Sequence, residues 1–433
     1  MDPITIAIFG VIFMFVLILL QVPIGVAMAV VGVVGFGILS GFGPAFTIIA
    51  TETSGIIANA DLAVIPLFLL MGNFATTAGL SADIYNLAYA FLGHYRGGLA
   101  LSTIAGCGFF GSVCGSSTAT AATFGRVALP EMLDRKYTPH FAAGCIAAGG
   151  TLGSLVPPSV ILIIYAVIAE QFIITLFIAA IIPAIISIGA YFVAIMIYLR
   201  INPKAGPRGP RMSWSVRFKT ALRSWGVILI LVVVVGGIYG GIFTVTEAAA
   251  FGAVLSFLFA LGRRKLTKEK FWEALSGTAL STAMIYVIII GANIMTYFIT
   301  VTHMPDNVIT FISGLELPTF MILAILLVVY LLLGSIFDTV AAMLITLPFV
   351  LPLITDLGYS PIWWGIINVV VIEIGMITPP IGLNVFVLHG VAPDLPLGTI
   401  FRGILPFFIA DIGRLIILVA FPVLITVLPS LLQ

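Results

Sequence analysis

The sequence predicts an all-α polytopic membrane protein built from an internal repeat, with a re-entrant helical hairpin in each half. Three observations carry that expectation. Hydrophobic residues make up 61% of the 433 residues, charged residues only 8%, and mean hydropathy is +1.26. A soluble domain carries roughly 25% charged residues, so this chain has too little polar side chain to cover a globule. The apolar runs are continuous and do not alternate, which disfavours a membrane β-barrel. Finally, one kind of punctuation occurs twice: a polar break inside apolar sequence, followed at matching distance by a Pro-Pro pair.

A span needs about 20 residues, which allows on the order of 11 to 14 membrane segments here, hairpin arms included. No Lys or Arg precedes His94. The basic region of a cleaved signal peptide is therefore missing, and residues 4–20 read as a retained span. Gln21-Val22-Pro23 ends it, and 24–39 is the second span. Residues 46–60 carry Thr51, Glu52, Thr53 and Ser54 and suit the interface as well as the interior. Residues 62–75 are apolar again. Residues 83–96, with Asp83, Asn86, His94 and Arg96, read as a surface helix. The first hairpin covers 99–130, and a charged loop follows over 131–140. Residues 141–156 lead into Pro157-Pro158, then 160–169, and 172–199 span with tilt.

Residues 200–223 hold seven Lys or Arg residues and Pro203, Pro207 and Pro210, the composition of a linker. Spans at 225–243 and 246–261 lead to a second basic stretch, 263–270. Together these two loops hold 12 of the 18 Lys and Arg residues. The positive-inside rule puts both in the cytoplasm, and two spans between them return the chain to that side. The second half then repeats the first. Residues 271–302 form a long apolar span containing Asn293, 303–307 a turn, and 320–352 the second hairpin. Residues 361–378 lead into Pro379-Pro380, followed by 381–388 and 401–428.

The first break lies in FFGSVCGSSTATAATFG, residues 109–125. The second lies in LLLGSIFDTVAAMLITLPFVLP, residues 331–352, at Gly334-Ser335 with Asp338-Thr339 after it. Gly115 precedes Pro157 by 42 residues and Gly334 precedes Pro379 by 45, and each Pro-Pro closes a G-x-x-x-P-P signal. Paired interrupted segments in two halves point to the binding site of a transporter. Broken helices free backbone carbonyls and amides that lipid cannot satisfy, and the freed oxygens suit a small cation. Ser116, Ser117 and Thr118 offer hydroxyls that suit Na⁺, a hard ion favouring oxygen; helix packing through small residues is the plain alternative. Asp338, a carboxylate at membrane depth, is a functional candidate by default. Thr151 and the Gly375–Thr378 turn precede the two Pro-Pro pairs, where proline leaves carbonyls unpaired; ordinary kinks explain them equally well. Asn384 suits contact with ion or substrate, or an interhelical hydrogen bond. Glu373 is a further carboxylate whose face the sequence does not reveal. Glu247 reads as an acid in the first turn of a helix. Arg126, past the first break, suits an anion or an interface anchor.

Other chemistry is poorly represented. A net charge of +1 with no basic patch gives no sign of nucleic acid. Cys107, Cys114 and Cys145 fit no disulfide or metal pattern, the four histidines show no zinc spacing, and no nucleotide motif is present.

At GSSTATAA (115–122), GTLGSLVPPSVILIIY (150–165), TVTEAAAFGAV (244–254), GSIFDTVAAMLITLPFVLP (334–352) and GMITPPIGLN (375–384), the chain resembles the DctM-like large membrane subunits of tripartite ATP-independent periplasmic (TRAP) transporters. The resemblance runs over nearly the whole chain in order. It implies an elevator-type secondary transporter with inverted repeats in the bacterial inner membrane. It implies Na⁺ as coupling ion, held by Ser116, Ser117, Asp338, Gly375 and Thr378, with Thr151 as the first-half candidate. Thr118, Thr339, Asn384 and Arg126 are the candidates for a small organic anion, a carboxylate or sulfonate. The implied partners are a small four-helix membrane subunit (DctQ-like) and a periplasmic substrate-binding protein (DctP-like); no cofactor is expected. The second tip lacks the proline after the Asp found in many relatives. The division that follows is a scaffold at 1–98, a first transport repeat at 99–199, a basic linker at 200–223, a second scaffold part at 224–318, a second transport repeat at 319–399 and a final span at 400–433. The competing expectations are a stand-alone sodium/divalent-anion symporter, a passive channel, and an intramembrane aspartyl protease using Asp338 and Glu373.

Overall fold

The structure, a computed structural model, describes residues 2–314 and 316–432. Helices dominate, and among the described residues the only β-type pairing is an isolated bridge between Arg96 and Arg208. Among the described residues, seven helices are long and apolar enough to cross a membrane, or up to nine if two bent pairs each count as one span.

The first half opens with Pro3–Leu19, Ile24–Ser40, Phe42–Ala58 and Val64–Ala78, then the amphipathic Leu80–Leu92. Hairpin 1 follows, with arms Gly98–Cys114 and Ser117–Asp134. Broken helix 1 is Pro139–Leu155 plus Val160–Ile168, bent by 41°, and Ile173–Ile201 closes the half. The second half has Trp225–Leu231 continuing to Tyr239 through a short π segment, then Val245–Gly262, Lys268–Val301 and Met304–Gly314. Hairpin 2 has arms Thr319–Ile336 and Thr339–Asp356. Broken helix 2 is Pro361–Gly375 plus Leu383–Val391, and Leu397–Ala420 and Val423–Leu432 finish the chain. Val245–Gly262 starts with a reciprocal cap: Thr244 N–H donates to Glu247 Oε2 (2.8 Å) and Glu247 N–H to Thr244 Oγ1 (3.2 Å). Glu247 thus has the structural role expected of a first-turn acid.

The halves keep one register. Ser116 and Asp338, Pro130 and Pro352, Pro139 and Pro361, Gly153 and Gly375, and Pro157 and Pro379 are all 222 residues apart. Packing is reciprocal as well. Ile24–Ser40 lies on Lys268–Val301, while Val64–Ala78 lies on Val245–Gly262. Pro139–Leu155 packs on Leu397–Ala420, while Pro361–Gly375 packs on Ile173–Ile201. Each half therefore completes the other, and the hairpins approach tip to tip without their arms packing along each other. This is an inverted repeat.

Several sequence expectations need correction. Gly334 does not break a helix. It lies inside Thr319–Ile336, and the break falls at Phe337-Asp338. Gly334 is there for close packing: a Cβ on it would stand 2.5 Å from Ile372 O, as one on Gly111 would stand 2.8 Å from Gly153 Cα. Small residues let backbones approach in this way. With the break corrected, Ser116 precedes Pro157, and Asp338 precedes Pro379, by the same 41 residues. The turn expected at 303–307 is mostly helix, because Met304–Gly314 starts there. The linker contains the helix Trp214–Arg223. The final span is interrupted at Phe421, where Leu397–Ala420 ends.

Both basic loops lie on one face. Arg263 pairs with Asp83 of Leu80–Leu92 at 2.5 Å. The linker reaches the end of the same helix, with Gly209 N–H donating to Gly93 O at 3.1 Å. This agrees with their common cytoplasmic assignment by charge.

Candidate functional site

The two tips use one capping device on different turns. Gly98–Cys114 stops because Gly115 turns left-handed (φ +63°), a conformation glycine adopts without a Cβ clash. Ser116 is then extended, and its Oγ accepts the Ala119 N–H at 3.4 Å, capping Ser117–Asp134. In hairpin 2 Phe337 is extended, and Asp338 Oδ1 accepts the Ala341 N–H at 2.7 Å, capping Thr339–Asp356. Ser and Asp are both strong caps, but only the second brings a charge.

The broken helices lie behind the tips. Both Pro-Pro bonds are cis. Ser159 caps Val160–Ile168 through Leu162 N–H at 3.4 Å. Ile381 and Gly382 donate to Ser335 O at 3.2 and 3.1 Å, tying the second break to hairpin 2.

A cavity of about 220 Å³ separates the tips from the long helix Lys268–Val301. Gly115, Ser116, Ser117 and Thr118 line it from hairpin 1, Asp338, Thr339 and Val340 from hairpin 2, and Val160 and Ile161 from broken helix 1. Ser281, Met284, Ile285 and Ile288 of Lys268–Val301 form the facing wall. Three helices thus direct their N-terminal turns at one space, a positive-dipole arrangement that favours an anion.

A buried polar cluster joins the halves beneath this floor. Ser117 N–H donates to Ser154 Oγ at 3.1 Å, and Asn384 Nδ2 donates to Ser117 Oγ at 2.7 Å. Thr339 Oγ1 donates to Glu373 Oε1 at 2.8 Å. Glu373 is 1% exposed and Asn384 0%. Glu373 Oε2 and Asn384 Oδ1 have no donor among the described residues. A buried acceptor left unpaired costs about 1–3 kcal/mol. Carboxyl, amide and hydroxyl oxygens are donor types that suit a hard monovalent cation, although Met376 Sδ also lies against Thr339 Oγ1.

Of the sequence candidates, Ser116, Ser117, Thr118, Asp338 and Thr339 line the cavity, with Asn384 directly behind Ser117. The others lie elsewhere. Gly375 packs on Gly334, and Thr378 Oγ1 donates to Ile374 O at 2.6 Å. Arg126 is exposed on the second arm of hairpin 1 and does not line the cavity. Thr151 faces another network: its hydroxyl bonds Tyr191 (2.9 Å), which donates to Asp411 (3.0 Å), which pairs with Arg414 (2.8 Å), all buried. Thr151 is 222 residues before Glu373, so the first repeat has a hydroxyl where the second has a carboxyl. Sequence reading overlooked Asp411 and Arg414. Opposite charges three residues apart inside an apolar span were the available signal.

Comparison with known proteins agrees with this architecture. The family described as tripartite ATP-independent periplasmic transporter, DctM component, matches residues 11–424. The C4-dicarboxylate TRAP transporter large permease protein DctM of Pseudomonas aeruginosa is 37% identical over 373 residues, covering 85% of this chain and 84% of that protein. The sialic acid TRAP transporter large permease protein SiaM of Vibrio cholerae is 30% identical, covering 88% and 89%. The isethionate TRAP transporter permease protein DctMQ of Oleidesulfovibrio alaskensis is 35% identical, covering 76% and 52%. The crystal structure of the Alcanivorax borkumensis YdaH transporter shares the fold, with a TM-score of 0.58 at 15% identity over 88% of each chain. A multi-pass inner-membrane permease, not an enzyme, accounts for both the helices and these relatives. With its polar tips, its broken helices and the family match from residue 11 to residue 424, this chain belongs to the DctM component family of TRAP transporters.

Proposed function

We propose that this chain is the large permease subunit of a sodium-coupled importer of a small organic anion. One observation carries the reading: repeat-equivalent tips, one neutral and hydroxyl-bearing, one acidic, close on a single cavity. Na⁺ is taken up at the tips by Ser116, Ser117 and Asp338, with the turns at Gly375 and Thr378 supplying carbonyls behind the second. Thr151 supports the first break through Tyr191. The anion, a carboxylate or sulfonate, sits on the N-terminal turns at Thr118 and Thr339, with Asn384 fixing the floor. Arg126 lies outside this cavity and attracts the anion only from a distance.

The transport repeats move as one body against the scaffold, an elevator motion for which the cavity wall on Lys268–Val301 is the sliding contact. A periplasmic binding protein delivers the anion and a small four-helix membrane subunit steadies the scaffold. Relatives named for C4-dicarboxylates, isethionate and sialic acid fit a subunit whose cargo is chosen largely by its binding protein.

The test is uptake into proteoliposomes holding this chain and its membrane partner, with binding protein and candidate acids outside. Uptake that needs both an inward Na⁺ gradient and the binding protein supports the reading. Uptake driven by a proton gradient alone removes Na⁺ from it, and uptake without any binding protein removes the tripartite arrangement.

A further inference from the structure

Three cavities run into one another at the cytoplasmic end of the molecule, away from the tips. The first is a groove of about 510 Å³ between Ile173–Ile201 and Leu397–Ala420, with Ile197, Ile201, Leu405 and Ile409 on its walls and Arg402 among them. It shares Tyr198, Ile201 and Asn202 with a second cavity of about 340 Å³. The second shares Lys204 with a third, of about 490 Å³. Arg135, Lys136, Lys204 and Arg208 line the third, and no acidic side chain does so among the described residues. The result is one trough, apolar at one end and cationic at the other.

The cationic end is held in place by the fold. The linker crosses the base of hairpin 1 through Gly97 N–H to Gly206 O (3.2 Å), Thr138 N–H to Ala205 O (3.1 Å) and Gly209 N–H to Gly93 O (3.1 Å). Tyr137 donates its hydroxyl proton to Pro207 O at 3.2 Å. Burial pushes that phenol's pKa up, so it stays a donor. Arg135 is fixed by Glu131 at 2.7 Å and by the Tyr89 hydroxyl. Lys136, Lys204 and Arg208 have no acidic partner among the described residues. Lys136 is also held left-handed at φ +62°, an uncommon backbone state for a side-chain-bearing residue.

Lys136, Lys204 and Arg208 are solvent-exposed in one pocket, and an anion there lowers the repulsion that water and salt only screen. A free anion would answer the charge but leave the apolar groove open. Basic pockets on the cytoplasmic side bind phospholipid headgroups, and acyl chain suits the groove. We infer that this trough binds an anionic phospholipid of the inner leaflet, with its phosphate among Lys136, Lys204 and Arg208 and an acyl chain between the two long helices. The lipid holds the linker to the base of hairpin 1 and does not depend on the ion-coupling reading.

The experiment uses the full chain, purified and delipidated in detergent. Lipid retained after relipidation is counted by native mass spectrometry, and Tm is followed with cardiolipin, phosphatidylcholine or inorganic phosphate. Cardiolipin is expected to raise Tm by about 3 °C or more, with phosphatidylcholine and phosphate giving no comparable shift. The double variant Lys204→Gln, Arg208→Gln should lose both the shift and the retained lipid. Arg211→Gln, which removes charge outside the trough, should keep both. Ile201→Trp, which fills the groove and leaves the cations intact, should lose the lipid while the apo protein melts as before. Equal shifts with phosphatidylcholine, or unchanged lipid counts in both trough variants, overturn the proposal. A shift reproduced by phosphate alone replaces it with a free-anion site. No shift with any lipid, together with stabilisation by the membrane partner subunit, gives the groove to a protein helix.

Discussion

Hairpins 1 and 2 share a two-armed helical plan with a capped second arm and differ in their tip turns, their surroundings and their charge. The first arm of hairpin 1 buries 16 of its 17 residues, whereas the equivalent arm of hairpin 2 buries five of 18. Hairpin 1 is wedged among Leu80–Leu92, broken helix 1 and its own second arm. Hairpin 2 presents Phe320, Ile325, Val328 and Leu332 outward. At the tips the contrast is chemical. Ser116 is the repeat equivalent of Asp338, and Thr151 of Glu373. A duplicated fold fixes where helices break and which backbones touch, but it leaves side chains free to diverge. Here the carboxylates near the cavity belong to the second repeat, while the first contributes hydroxyls.

The largest effect should come from removing the charge while keeping the cap. Asparagine caps as well as aspartate, so Asp338→Asn should leave the melting temperature near that of the native chain. Na⁺-driven uptake should fall more than tenfold. Retained Na⁺ dependence in this variant would place the countercharge elsewhere. Glu373→Gln is next: the Thr339 bond survives, and Na⁺ affinity read from the uptake titration should weaken severalfold. An unchanged titration would leave Glu373 a packing group.

Gly111→Leu and Gly334→Leu test whether the repeats are equivalent in packing. Both force a side chain into backbone and should each cost roughly 2 kcal/mol or more, read as loss of folded protein on gentle heating. A large cost in one half only would break the equivalence. Ser116→Ala removes a cap worth about 1 kcal/mol without removing charge, so its effect on uptake should be well below that of Asp338→Asn. At the small end, Val328→Ala on the open arm of hairpin 2 should change stability by less than about 0.5 kcal/mol. A clear loss of activity there would mean that the outward face is covered in the working assembly.

How far the sequence could be read depended on the kind of signal. Gly115-Ser116-Ser117 was legible because glycine, then a capping serine, then a new helix is a local pattern. Pro157-Pro158 and Pro379-Pro380 were legible because proline acts on its own backbone. Gly334 misled because glycine serves close packing as readily as it breaks helices, and only the facing Ile372 and Gly375 settle which. The face of Glu373 was hidden because every neighbour from Trp363 to Gly375 is buried. A helix enclosed on all sides has no polar stripe to read. Met304–Gly314 was missed although Pro305, at the second helical position, is a helix-start signal. The linker's straps could not be read at all, since they are main-chain bonds, from Gly97 to Gly206, from Gly209 to Gly93 and from Thr138 to Ala205.

The reciprocal packing also bears on biosynthesis. The main neighbours of Pro139–Leu155 include Leu397–Ala420, and Tyr191 waits for Asp411, 220 residues later in the chain. Ribosomes deliver the N-terminal half first, so for a large part of translation it stands in the bilayer with an open seam and with the Thr151–Tyr191 pair still lacking its carboxylate acceptor. Completion of the fold is therefore a late event, gated by arrival of the last long helix. Chains that terminate before residue 397 are expected to be substrates for membrane quality control, not partly working permeases.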